Sequence, residues 1–319
     1  MRARTGLTLV AAAVVLSASA AERPRAQSLT YSSGQNVSPA FEGWEQNADG
    51  SFNFLFGYMN RNWEEEVDVP VGPENTVEPG GPDQGQPTHF LPRRNRFIFK
   101  VRVPKDWGSK ELVWTLTTQG KTEKAYATLR LDSMVDDVVK ASETGALGAG
   151  TSSPEVRSNK PPVVKLDGER HRTVKVGEPL PLVARVTDDG IPKQRSIGLD
   201  QTSAAVRREE AEGRRVTNPM MVPPRQATVG KRVGLHLSWF VYRGAGNVSF
   251  DPPQIKVWED TRTGAYSPWA PLFTVPPAPK DGKWVSRAIF DEPGTYVLRA
   301  RADDGALTTD EDVTVVVSR

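Results

Sequence analysis

Aromatic residues occupy every second position of Phe52-Asn53-Phe54-Leu55-Phe56-Gly57-Tyr58. A period of two sets Phe52, Phe54, Phe56 and Tyr58 on one face of a strand, and Asp49-Gly50 before it supplies a turn. The same alternation predicts a strand with Phe97, Phe99, Val101 and Val103 facing away from Ile98, Lys100 and Arg102. A third strand carries Leu112, Trp114 and Leu116 on one face before Gln119-Gly120 turns the chain. Together they predict an antiparallel β-sandwich over residues 28–141, closed by a helical turn or two near 134–141. Residues 142–161 shift to Gly, Ser, Thr, Ala and Pro, too little apolar surface to offset ordering entropy, and read as a flexible linker.

Alternation returns over residues 162–319. Leu182, Ala184 and Val186 share a face, as do Leu235, Leu237, Trp239 and Val241. Tyr296, Leu298, Ala300 and Ala302 form another set, and Val313, Val315 and Val317 close the chain. With Val163-Val164, Ile255 with Val257, and 284–290, these make about seven strands, the number in an immunoglobulin-like sandwich. A polar insert at 191–231 interrupts them, with a short helix predicted around 200–213 and the apolar Met220, Met221 and Val222 set among prolines. The predicted fold class is therefore all-β: two antiparallel β-sandwich, immunoglobulin-like domains joined by a flexible linker. Twenty-six prolines and twenty-seven glycines agree with short strands and many turns.

The first 27 residues read as a signal peptide. Arg2 and Arg4 precede an apolar run over 7–16, and Ala18 and Ala20 satisfy the small-residue rule. Cleavage is expected after Ala20 or near Gln27. The run is about half of the roughly 20 apolar residues that a spanning helix needs, which disfavours a membrane anchor. The expected location is secreted or periplasmic. There is no cysteine, which removes disulfide staples, thiolate metal sites and thiol catalysis. The formal charge of +2 drops to near neutrality once Arg2 and Arg4 leave with the leader, which argues against a nucleic-acid partner.

Asn159-Lys160-Pro161-Pro162-Val163-Val164, Val174-Lys175-Val176-Gly177-Glu178-Pro179-Leu180 and Val186-Thr187-Asp188-Asp189-Gly190 resemble the opening of a bacterial PKD-like or cadherin-like extracellular domain. Glu292-Pro293-Gly294-Thr295-Tyr296 through Ala302-Asp303-Asp304-Gly305, with the last valine strand, resembles the end of one. The resemblance covers most of the second half and implies a spacer or binding platform, since fold does not fix function. The Trp-Asp-Phe-Gly-Asp-Gly stretch typical of PKD domains is absent, with Leu237-Ser238-Trp239-Phe240-Val241 in its place.

The segment 71–95, rich in proline and glycine, is the leading candidate for an active surface, because long loops without regular structure are often functional. Asn60, Asn62 and Trp63 lead towards it, and Asp83, Gln84, Gln86, His89 and Phe90 lie within it. An exposed aromatic beside amides and a carboxylate suits a sugar ring. The plainer alternative is a crossover pinned to the sandwich edge. Asp188, Asp189, Asp303 and Asp304, with Asp310 and Asp312, offer carboxylates to calcium if their loops converge. Their spacing misses a dedicated calcium loop, and Asp-Gly is ordinary turn chemistry, which is favoured. Arg93, Arg94, Arg96, Lys100 and Arg102 form a basic strip that suits an anionic partner, or more simply a solvated face discouraging edge pairing.

The three histidines are too scattered for a zinc site; His236 falls on the polar face of its strand with Ser238. No sequence motif for a metalloprotease, serine hydrolase or nucleotide-binding enzyme occurs. The expected function is a non-catalytic binding, adhesion or accessory module, with no cofactor except possible calcium. Its partner is an extracellular or periplasmic protein or polysaccharide. The alternative is a carbohydrate-active protein that binds, or less readily cleaves, a polysaccharide.

Overall fold

The structure is a computed structural model and describes residues 31–143, 154–193, 234–258 and 275–319. The leader and most of the linker and polar insert, including the helix expected near 200–213, lie outside the described residues. No helix among the described residues is long and apolar enough to cross a membrane.

The first sandwich opposes two three-stranded sheets. In one, β1 (Val37–Gln46) pairs antiparallel with β2 (Phe52–Asn60), and β2 with an eleven-residue strand, Arg93–Val103. Between them in the chain come β3 (Val67–Asp68), β4 (Asn75–Glu78) and β5 (His89–Phe90), so Arg93–Val103 is β6. The second sheet runs β4, β7 (Leu112–Thr118), β8 (Lys121–Ala127), and β3 pairs with β5 on its own. Phe54, Phe56, Tyr58, Phe99, Val101, Leu112, Trp114 and Leu116 fill the core, as the period of two predicts. Phe56 stacks on Phe99 at 5.0 Å, and Trp114 meets Phe99 edge-on at 4.9 Å, the geometries that aromatic quadrupoles prefer.

Phe97 departs from the expected face. The β2–β6 register shifts between Phe56 and Tyr58, and Phe97 adopts φ 51° in the resulting irregularity, so Ile98 joins the core instead. Gly57 allows this close approach, because a Cβ there would lie 2.5 Å from the Asn95 carbonyl oxygen.

In the second sandwich β9 (Val163–Leu166), β11 (Leu180–Thr187), β14 (Lys283–Phe290) and β13 (Val248–Asp251) form one antiparallel sheet, in that order. The other runs β10 (His171–Lys175), β16 (Thr308–Ser318), β15 (Gly294–Asp303), β12 (His236–Arg243). The β10–β16 pair is parallel and the rest are antiparallel. This is the strand order of an immunoglobulin-like sandwich. Two further hallmarks accompany it. Trp239 is buried on the third long strand, β12, and Tyr296 near the start of β15 donates from its hydroxyl to the Glu292 carbonyl, a tyrosine corner. Leu182, Trp239, Phe290, Leu298, Val313 and Val315 form the core without a disulfide.

Residues 31–319 form one compact unit, and the sandwiches meet directly rather than only through the connecting segment. The outer face of β12 carries Phe240 and Tyr242 into the core of the first sandwich. The prediction that this face is polar and solvated is corrected here: His236 and Ser238 are buried along with them. Beside them Arg299 ion-pairs with Asp312 at 2.7 Å, donates to the Ile98 carbonyl across the junction, and lies 3.4 Å from the Tyr242 ring centroid. Burial opposes its charge, but the carboxylates of Asp310 and Asp312 keep the guanidinium protonated. Arg301 and Asp310 pair at 2.7 Å in the same layer. Helix α1 (Asp137–Glu143) follows the first sandwich, and α2 (Pro154–Ser158) leads into the second.

Candidate functional site

The loop 71–95 contains β4 and β5, and its polar side chains are turned inward. Asn60 donates to the carbonyls of Glu65 and Phe90, while its own oxygen accepts from Asn62. Asn62 closes a two-way bond with the Gln35 backbone. Gln84 donates to the Val77, Pro79 and Gly81 carbonyls, and Gln86 to those of Asn75 and Pro82. Asn75, fully buried, donates to Val69 and Pro87 and accepts from the Trp114 indole. These amides satisfy the carbonyls of an irregular segment that has few ladder partners.

Three expectations change accordingly. Phe90 is not exposed: it is fully buried, 5.0 Å from Tyr58 and stacked near Trp114. Trp63 is 5% exposed, with the Arg93 guanidinium 4.0 Å from its ring. Asp83 reaches across the junction and holds Arg243 through two bonds of 2.8 and 3.0 Å, which lowers its carboxyl pKa. The backbone joins in. Arg243 also donates to the Gln86 carbonyl, Tyr242 to that of Gly85, and Thr88 N–H to the Tyr242 carbonyl. The loop is the seat on which the second sandwich docks, close to the plainer of the two sequence readings.

His89 is 6% exposed and sits between Asp68, 2.7 Å from Nδ1, and Glu66, 2.8 Å from Nε2. Burial opposes its charge, yet the two carboxylate hydrogen bonds outweigh it and push the pKa up to about 9. The imidazolium thus fixes β5 to the segment at Glu66.

The Asp-Asp-Gly turns are built on their own backbone. Asp188 accepts from Gly190 and Asp189 from Ile191, while Asp303 accepts from Gly305 and Asp304 from Ala306 and Leu307. Both turns also hold the chain entering β9, through Asn159 to Asp304 and Lys160 N–H to Asp189. Burial raises Asp304 to a pKa of about 6. Among the described residues no group of three or more His, Asp or Glu side chains is placed to hold a metal ion. The basic strip is likewise matched: Arg94 pairs with Glu42, Lys100 with Glu45 and Arg102 with Asp49.

The concave feature lies beside the junction. A cleft of about 640 Å³ opens between the two sandwiches, in the range of small-ligand sites. Its rim on the first sandwich is Glu64, Glu65 and Glu66, with His89 beneath. The opposite wall combines Phe240 of β12, Phe250 of β13 and the segment from Gln254 to Trp258. Val257 and Trp258 pack against the first core, whereas Val248 and Phe250 pack against the second, so the floor is the seam between two apolar cores. The indole N–H groups of Trp239 and Trp258 both line the cleft, are buried, and have no acceptor among the described residues. A buried donor without a partner is costly, and a ligand oxygen would relieve it. Lys256 Nζ stands 5.6 Å from the Trp258 ring centroid.

Sequence reasoning placed His89 near a site but missed the rest. The signals were present as Trp63-Glu64-Glu65-Glu66 and as Ile255-Lys256-Val257-Trp258, two short runs far apart in the chain.

No family model matches the chain, and no curated protein matches it significantly. Among solved structures it aligns with a chimeric titin Z1Z2 carrying an exogenous decorin peptide, at 12% identity over 89% of this chain and 99% of that chain, TM-score 0.22. It aligns with Clostridium thermocellum CbhA fibronectin(III)-like modules at 10% identity over 89% and 94%, TM-score 0.22. Sidekick-1 immunoglobulin domains 1–4 align at 9% identity over 88% and 48%, TM-score 0.21. At such scores the alignments carry no argument of their own. The immunoglobulin-like assignment rests on strand order, the buried Trp239 and the Tyr296 corner.

Proposed function

We propose that the protein is an exported, non-catalytic binding module that takes a saccharide in the cleft between its sandwiches. The observation that carries this reading is the pair of indole N–H donors, on Trp239 and Trp258, that line one cleft without acceptors among the described residues. A saccharide combines an apolar ring face for the aromatic wall with several oxygens for those donors, and hydroxyl donors for the glutamate rim. The export assignment rests on the leader over residues 1–27. The docked loop keeps both walls in place, which lowers the ordering cost of binding.

Titration of the mature protein with a panel of oligosaccharides, followed by tryptophan fluorescence and calorimetry, tests the proposal. Saturable binding that Trp258→Ala abolishes, with the melting temperature of the variant within a few degrees of the parent, supports it. No response across neutral, acidic and amino-bearing glycans sinks it.

A further inference from the structure

The cleft is asymmetric in charge. Glu64, Glu65 and Glu66 form its rim, and the cations among its lining residues are Lys256 and the buried imidazolium of His89. His89 is already committed to Glu66 and Asp68. Asp68 adds a further carboxylate beside the rim. The charge balance facing the opening is therefore negative. On the other side stand aromatic faces, and the geometry there already attracts a cation, since Lys256 lies over Trp258. Carboxylates on one wall and π faces on the other both favour a positive group held between them. Neither wall gives a saccharide carboxylate or sulfate a cation of its own to bind.

We propose that the cleft selects a saccharide carrying protonated amino groups. The inference rests on the saccharide reading above and names its substrate class. In this arrangement a ring stacks on the aromatic wall, ring or hydroxyl oxygens accept from the Trp239 and Trp258 indoles, and the ammonium group faces Glu64 and Glu65. Acetylation of the amine would remove the charge and leave the carboxylate rim facing a neutral amide. A ligand amine with its pKa near neutrality would bind more weakly as pH rises, because it loses the proton that the rim recognises.

Three hexamers of matched linkage and length distinguish the possibilities: β-1,4-linked glucosamine, its fully N-acetylated form, and the corresponding glucose hexamer. Each is titrated calorimetrically against the mature protein at pH 6, at low salt and at about 0.5 M salt, where the Debye length shrinks to a few ångströms. The expected result is at least tenfold tighter binding of the glucosamine hexamer at low salt, with most of that advantage lost at high salt. Glu64→Gln with Glu65→Gln should remove the preference while leaving binding of the neutral hexamers within about twofold. Equal or tighter binding of either neutral hexamer overturns the amino-group inference and leaves the saccharide reading standing. A preference that survives both salt and the double variant also overturns it. Failure of all three to bind, together with silence across the wider panel, overturns both.

Discussion

The loop 71–95 and the segment from Gln254 to Trp258 exchange roles between sequence and structure. The loop has the composition of a ligand-presenting surface, yet its amides bond to its own carbonyls and its one buried aromatic lies in a core. The second segment looks like a strand of ordinary alternation, yet it forms a wall of the cleft. What separates them is the fate of polar atoms. In the loop Asn75, Gln84 and Gln86 are occupied by protein partners, whereas the Trp258 indole is buried and waiting. Polar composition in a loop therefore says less about binding than where its hydrogen bonds end.

The strongest way to break this comparison is Asn75→Ala. It strands the Trp114 donor and the Val69 and Pro87 carbonyls in the core, at about 1–3 kcal/mol for each group left unpaired. A large fall in the urea midpoint is expected, and a change below about 1 kcal/mol would mean that the loop is not a structural seat. Arg243→Ala removes the bidentate bond to Asp83 and the bond to Gln86 across the junction. Asp83 is half exposed, so the expected loss is only about 1–2 kcal/mol, again read from the unfolding midpoint.

His89 gives the comparison a pH axis. Its folded pKa lies above the ordinary histidine value, so its contribution is fully present below about pH 6.5 and fades as pH rises through about 9. The melting temperature should decline over that window in the parent, and decline less in His89→Asn. Glu64→Gln, at the rim, should change stability by less than about 0.5 kcal/mol while weakening ligand binding. The smallest effect is expected from calcium. If the Asp-Asp-Gly turns are held by their own backbone, chelator and millimolar calcium should give the same melting temperature, since a ligand of the folded state alone must raise it. A clear rise would restore a cation to Asp188, Asp189, Asp303 and Asp304.

Much of the architecture was legible along the chain. The period-two runs of β2, β7, β11, β15 and β16 identify strand faces correctly, because a sheet with one face in a core must alternate. The candidate site was far less legible. Phe97 misled because an irregularity in β6 reverses the face on which a side chain emerges, and nothing in its own neighbourhood announces that shift. Phe90 misled because hydrophobicity does not say which of two sandwiches will cover it. His236 and Ser238 look like a solvent face until a second sandwich is laid over them.

The sequence by itself determined the strands, their inward faces, the turns and the absence of disulfides, all of which depend on residues within a few positions of one another or on composition. Only the tertiary structure decided that β12 docks on the loop 71–95, that Arg299 bridges to Ile98, and that Glu64 faces Trp258 across a cleft. Those pairings join residues far apart in the chain. They are chosen by which apolar and charged faces fit once both cores exist, and no local period encodes that fit.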